Sequence, residues 1–261
     1  MTGSAAVQGP LAPAPGAAPL PRMVLAQAGL EIRMLLRNGE QLLLTIVIPL
    51  VALAVLAGVE VMDLGSRAER VDFATPGVLA LAVISTAFTS LAISTGFERR
   101  YGALKRLGAS PLPRAGLLAA KTLAVLAIEL LQGVLICGLA LALGWSPQGS
   151  ALAVLLLLLA GTATFSSLGL LMAGTLRAEA TLAAANLVYL VFLVVGGIAV
   201  PLGRFPDGVR AVLELLPAAA LAEGLRDVLR DGTGVPWAPL VVLLAWAVVA
   251  SALTTATFRW E

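Results

Sequence analysis

The chain has 261 residues, 59% of them hydrophobic and 12% charged, with a mean hydropathy of +0.98. Soluble domains run near ~25% charged, so this composition excludes a soluble globular protein and indicates an integral membrane protein. The net charge is +2, with no histidine and a single cysteine, Cys137. That excludes an internal disulfide, a Ser–His catalytic pair and a zinc site built on imidazoles.

Residues 1–21 hold five prolines and no charged side chain. The prolines interrupt any continuous apolar centre of the kind a secretory signal needs, so a disordered Pro/Ala-rich tail is expected. Residues 22–40 change character. On a helix, Val24, Leu25, Ala28, Ile32, Leu35 and Leu36 form an apolar stripe, with Gln27, Glu31, Arg33, Arg37, Asn38 and Glu40 largely opposite. This is the pattern of an amphipathic helix lying in the membrane surface. The alternative is a polar lead-in to the first span.

Residues 41–261 read as a six-span transmembrane domain. Apolar runs of the ~20 residues that a bilayer demands occupy 41–61, 75–96, 119–143, 151–175, 181–200 and 237–257. Pro49 is expected to kink or break the first. Small residues such as Gly133, Gly138, Gly161, Gly169, Ala173 and Gly174 allow close helix approach, as generic packing rather than a dedicated dimer motif. With the N-terminus inside, inner segments carry 11 Lys and Arg and outer segments 6. The positive-inside rule therefore places both termini and the loops 97–118 and 176–180 in the cytoplasm. The outer segment 201–236 reads as two short amphipathic helices meeting at Pro217, the first capped by Asp207. Each is too short to span, so they form a re-entrant or outer-surface hairpin before the last span.

The second and third spans are joined by FERRYGALKRLGASPLPRAGLL. Glu98, Arg99 and Arg100 leave the second span. Tyr101, Leu104 and Leu107 then fall at helical spacing, with Lys105 and Arg106 between them, and Gly108, Pro111 and Pro113 close the segment. A short amphipathic helix with a basic flank suits a groove on a soluble partner. The competing reading is charge that merely fixes topology.

Within the spans, Glu129 is the only acidic residue at depth, where a charge costs at least ~2.5–3.5 kcal/mol. It is either a substrate or proton contact or a protonated carboxyl bonded to a neighbouring span, with Asn186 or the hydroxyls of the second span as candidate partners. Gln132, one turn on, shares its face. Thr86 and Thr89, with Ser85 and Ser90, line one side of the second span. Such hydroxyls either border a translocation path or bond back to their own helix. Asn186 carries the same two readings. No aspartate falls in a span, which leaves no intramembrane aspartyl pair. The segment AGLLAAKT has alanine at both glycine positions of a phosphate-binding loop. The chain is thus not expected to be an enzyme or to bind a cofactor of its own.

The segments ERRYGALKRLGASPLPRAGLLAAK and LPAAALAEGLRDVL, with six spans, an interfacial helix and a hairpin before the sixth, resemble the ABC transporter type-2 permease family over about residues 22–258. The resemblance implies a membrane subunit of a bacterial exporter that works by alternating access. Glu98 to Pro111 would be the coupling region touching an ATP-binding cassette subunit, which holds the ATP. It further implies a second permease copy or a sister permease. Membrane lipid surrounds the chain, and no nucleic acid is expected among its partners. Another class of function is a scaffold or assembly factor that recruits a soluble protein through the same loop and moves no cargo.

Overall fold

In the hydrocarbon core every backbone N–H and C=O must find its partner within the chain, so apolar runs of this length fold as helices. The computed structural model describes residues 18–58, 66–108, 110–198 and 200–257, and among these there is no strand. In chain order the helices are α1 (Leu20–Arg37), α2 (Gly39–Leu42), α3 (Ile48–Gly58), α4 (Arg67–Val83), α5 (Leu91–Arg100) and α6 (Ala103–Gly108). There follow α7 (Arg114–Ala142), α8 (Ala151–Thr175), α9 (Ala178–Val195), α10 (Asp207–Leu213), α11 (Pro217–Leu229) and α12 (Trp237–Thr257). Two π-helical stretches, Leu43–Val47 and Ile84–Ser90, connect α2 to α3 and α4 to α5.

Among the described residues, five helices are long and apolar enough to cross a membrane: Arg67–Arg100, Ala115–Ala142, α8, α9 and α12. The run at 41–61 differs from expectation, because its apolar helix, Thr45–Gly58, is shorter than the other five. Residues 59–61 lie outside the described residues. Pro49 accounts for the irregular entry. It lacks the N–H that would ordinarily reach the carbonyl four residues back, at Thr45, and the turn before it opens into the π stretch Leu43–Val47. Gln132 Nε2 donates to that Thr45 carbonyl from α7.

The second membrane helix starts at Arg67, not at 75. Ser66 and Glu69 form a reciprocal capping box, with Ser66 Oγ accepting from the Glu69 N–H and Glu69 Oε2 accepting from the Ser66 N–H at 2.6 Å. The S-x-x-E signal was present in the sequence, but the charges around it read as loop. This 34-residue helix is the centre of the fold, and its most apolar window is 89% buried. Helix α8 crosses its π stretch at Gly169, where an added Cβ would lie 2.9 Å from the Phe88 carbonyl.

Two further elements depart from the sequence reading. Helix α1 begins at Leu20, two residues inside the expected tail, because Pro21 sits in the first turn where a missing N–H is harmless. Residues 1–17 of that tail lie outside the described residues. Asp207 does not cap α10 but occupies its first turn, after Pro206. Helix α11 is buried over most of its length against α4, α8 and α12. Arg226, a charged residue on this amphipathic helix, points inward with 3% exposure, stacks 4.0 Å over the Phe73 ring and pairs with Glu223 at 2.6 Å. Its Nε and Nη2 donate to the carbonyls of Phe73 and Ile198, each at 3.3 Å. These acceptors explain how a guanidinium is tolerated there.

Candidate functional site

Loops expected on the same side of the membrane do meet at the same end of the bundle. Arg99 Nη1 donates to the Gly174 carbonyl at 2.7 Å, Arg99 also reaches the Leu176 carbonyl, and Arg100 pairs with Glu179. These contacts bring segment 176–180 against the end of α5. At the opposite end, the Gln148 N–H donates to the Leu229 carbonyl at 2.9 Å, joining segment 144–150 to the end of α11.

The 97–108 turn is built from local chemistry. Arg99 and Arg100 end α5, where cations complement the helix dipole. Gly102 then adopts φ +68°, a left-handed conformation that reverses the chain into α6. Tyr101 stacks on Phe97, with ring centroids 6.0 Å apart, and is 68% exposed. Lys105 and Arg106 are also exposed, while Leu107 is half-buried. Leu104 lies on α6, and its side chain is outside the described residues. A shallow basic depression of about 580 Å³ is lined by Arg99, Arg100, Lys105, Arg177 and Glu179. From the sequence, Arg177 counted only as topogenic charge. Its place beside the 97–108 turn depends on the fold.

Glu98 behaves differently from its neighbours. It turns inward and meets Lys121 Nζ at 2.7 Å, and Lys121 also meets Glu31 Oε1 at 3.2 Å. Gln27 Nε2 braces Glu31 at 2.9 Å. Glu31 was assigned to the polar face of α1, yet it is buried, because Lys121 offers a cation beneath that helix. The trio ties α1, α5 and α7 together under the turn.

Two small cavities lead inward from this trio. One of about 270 Å³ is bordered by Glu31, Glu98, Lys121, Ser94, Ser90, Thr86 and Gln41. The other, about 190 Å³, is bordered by Gln41, Thr45, Ser85, Thr89, Ser90, Asn186 and Tyr189. They share Gln41 and Ser90, which are hydrogen-bonded to each other. Thr89 and Asn186 are thus brought together, and the Thr89 hydroxyl has no partner among the described residues. Asn186 itself bonds back to the Leu182 carbonyl at 3.0 Å. Gln132 forms a buried clasp with Thr86, whose hydroxyl donates to Gln132 Oε1 at 2.9 Å.

Glu129 is not part of that constellation. It points to α8, where Thr162 Oγ1 donates to its Oε2 at 2.6 Å. The partner is therefore neither Asn186 nor a hydroxyl of the second membrane helix, and Gln132 engages different elements despite its position one turn on.

Comparison with known proteins adds one finding. A family model described as ABC-2 type transporter matches residues 26–229, from within α1 to the end of α11. None of the curated proteins compared matches the chain. The match covers well over half of the sequence and falls on an all-helical, multi-pass membrane chain, so the protein belongs to the ABC-2 type transporter family, as a membrane permease component of an ABC transporter.

Proposed function

We propose that this chain is the permease subunit of an ATP-driven exporter in the cytoplasmic membrane, with both termini cytoplasmic. It works as a pair, either with a second copy or with a sister permease. A separate ATP-binding cassette subunit binds and hydrolyses the ATP. The observation that carries the reading is the exposed basic turn 99–107, set directly on the end of the central 34-residue helix. Closure of the ATPase subunits would press on Tyr101, Lys105 and Leu107. The force would pass along α5 and, through the Glu98–Lys121 pair, into α7 and α1. Alternating access follows if the Gln41–Ser90 contact, which stands between the two polar cavities, opens and closes as these helices tilt. Thr86, Thr89 and Asn186 then border the path, while Gln132 holds its wall. In this arrangement α10 and α11 form the re-entrant hairpin on the outer side.

The test truncates Tyr101, Leu104 and Leu107 to alanine. These residues lie on the turn and α6, outside the membrane helices, so insertion and expression should persist. Co-purification of the ATPase should fall, or ATP hydrolysis should continue without export. A triple variant that keeps both ATPase binding and export would remove the coupling role of the turn.

A further inference from the structure

A separate cleft lies on the lipid-facing side of the bundle. Helix α7 packs mainly on α1, and α8 mainly on α12. The two diverge and leave an apolar cleft of about 460 Å³ between them, floored by Leu79, Ala82 and Val83 of α4. That volume is in the range of small-molecule sites, about 300–1,000 Å³. Leu130, Val134, Leu155 and Leu159 on its walls are exposed on the outer surface of the bundle. One polar pair interrupts this lining, Glu129 with Thr162. Thr162 occupies Glu129 Oε2, whereas Oε1 is buried and has no hydrogen-bond partner among the described residues. No ion pair reaches Glu129 among the described residues either.

We propose that this cleft binds a lipophilic amine, an alkyl chain ending in an ammonium group, with the ammonium on Glu129 Oε1 and the chain along α7 and α8. Charge complementarity selects this occupant. Oε1 of this carboxyl lacks a partner, and an uncharged amine can enter the hydrocarbon and take the proton of a neutral carboxyl, giving an ammonium that supplies both opposite charge and N–H donors. A second copy of this chain does not supply that cation, because no Lys or Arg lies between Thr122 and Leu176 or between Ala178 and Val200. Nor does the headgroup of an amine-bearing phospholipid. Glu129 is midway along Ala115–Ala142, about 20 Å from either end at 1.5 Å per residue, whereas headgroups stay at the interface. Gly133 widens the cleft: an added Cβ there meets nothing within 4 Å.

The experiment measures equilibrium binding of radiolabelled dodecylamine, with dodecanol as the neutral control, to the full chain in phosphatidylcholine nanodiscs, after subtraction of empty nanodiscs. Wild type should bind the amine saturably, at one site per chain, and about tenfold or more tighter than the alcohol. Glu129→Gln keeps an acceptor for Thr162 and should erase that preference. Gly133→Leu, whose Cβ meets nothing within 4 Å, places a side chain in the cleft and should weaken both ligands. Equal binding of amine and alcohol to wild type would show an acyl-chain groove only and overturn the proposal, as would unchanged amine binding in Glu129→Gln. None of these readings depends on export or on the ATPase subunit, so the outcome is separable from that of the coupling test.

Discussion

Lys121 shows how much a single side chain organises here. It is 5% exposed and serves two carboxylates, Glu31 on α1 and Glu98 on α5. Removing one partner of a buried ion pair typically costs about 3–5 kcal/mol, because the remaining charge is left uncompensated. Lys121→Met should therefore lower the thermal unfolding midpoint of the detergent-solubilised protein. Adding Glu31→Gln and Glu98→Gln should recover most of the loss, since the buried charges then disappear together. If Lys121→Met melts with wild type, the trio contributes nothing to stability. The sequence showed each of these residues but not their meeting. Periodicity within α1 places Glu31 on the polar side, and nothing local reveals a cation 90 positions later. Glu129 was legible as an intramembrane carboxyl from its isolation, whereas its Thr162 partner was not, since the register between α7 and α8 is set by packing.

The same limit holds for whole elements. Long apolar runs made α7, α8, α9 and α12 readable to within a few residues. The start of α4 was missed because Arg67, Glu69, Arg70 and Asp72 look like loop, although the capping box marks a helix. Glycines illustrate the point more sharply. Gly133 and Gly169 are indistinguishable by neighbourhood, yet an added Cβ is unobstructed at Gly133 and lies 2.9 Å and 3.2 Å from the carbonyls of Phe88 and Ala87 at Gly169. A backbone carbonyl cannot step aside as a flexible side chain can. Gly169→Leu should destabilise by at least the ~1–3 kcal/mol of an overpacked site. Gly133→Leu should stay within about 0.5 kcal/mol, as at other unencumbered surfaces. Paired thermal melts compare them, and equal effects would refute the close crossing of α8 over the π stretch. A second test concerns Pro49. If Gln132 compensates for the N–H that proline lacks, Gln132→Leu should cost more in wild type than in a Pro49→Ala background. The difference should fall in the ~0.5–3 kcal/mol range of coupled neighbours, measured as a double-mutant cycle.

For the whole molecule, the two ends of the bundle carry different charge: exposed Lys105, Arg106 and Arg177 gather at one, whereas in segment 201–236 at the other Arg204, Arg210, Arg226 and Arg230 stand among Asp207, Glu214, Glu223, Asp227 and Asp231. Positive-inside bias would put the basic end in the cytoplasm, as proposed above. In a Cys137→Ala background, single cysteines at Pro111 and Gly234 report the orientation through an impermeant thiol reagent applied to intact cells. Gly234 is preferred to Gly232, whose φ of +67° disfavours a side chain. Labelling is expected at position 234 alone, and labelling at 111 alone would invert the topology. The all-helical membrane class was readable because it follows from run lengths, and the family was readable from the segments at 98–121 and 216–229. The two polar cavities and the lipid-facing cleft were not, since they arise where separate helices diverge.

The central helix carries a mechanical consequence. Its 34 residues make a rod of about 51 Å at 1.5 Å per residue, and α8 presses on it at Phe88 through Gly169. Phe88 lies 12 residues from Arg100 and 21 from Arg67. A rod pivoting at that contact has unequal arms, and a push on the Tyr101 end would emerge in the opposite sense, enlarged roughly 1.8-fold at Arg67 and about 1.25-fold at Phe73, where Arg226 grips the helix. A shift of ~1 Å at the proposed ATPase contact would then move the Arg67 end by ~2 Å and the Arg226 grip at Phe73 by a little over ~1 Å, the scale on which packed helices shift against one another. Spin-label distances taken at both ends, with and without nucleotide on the partner, should show the larger change at the Arg67 end.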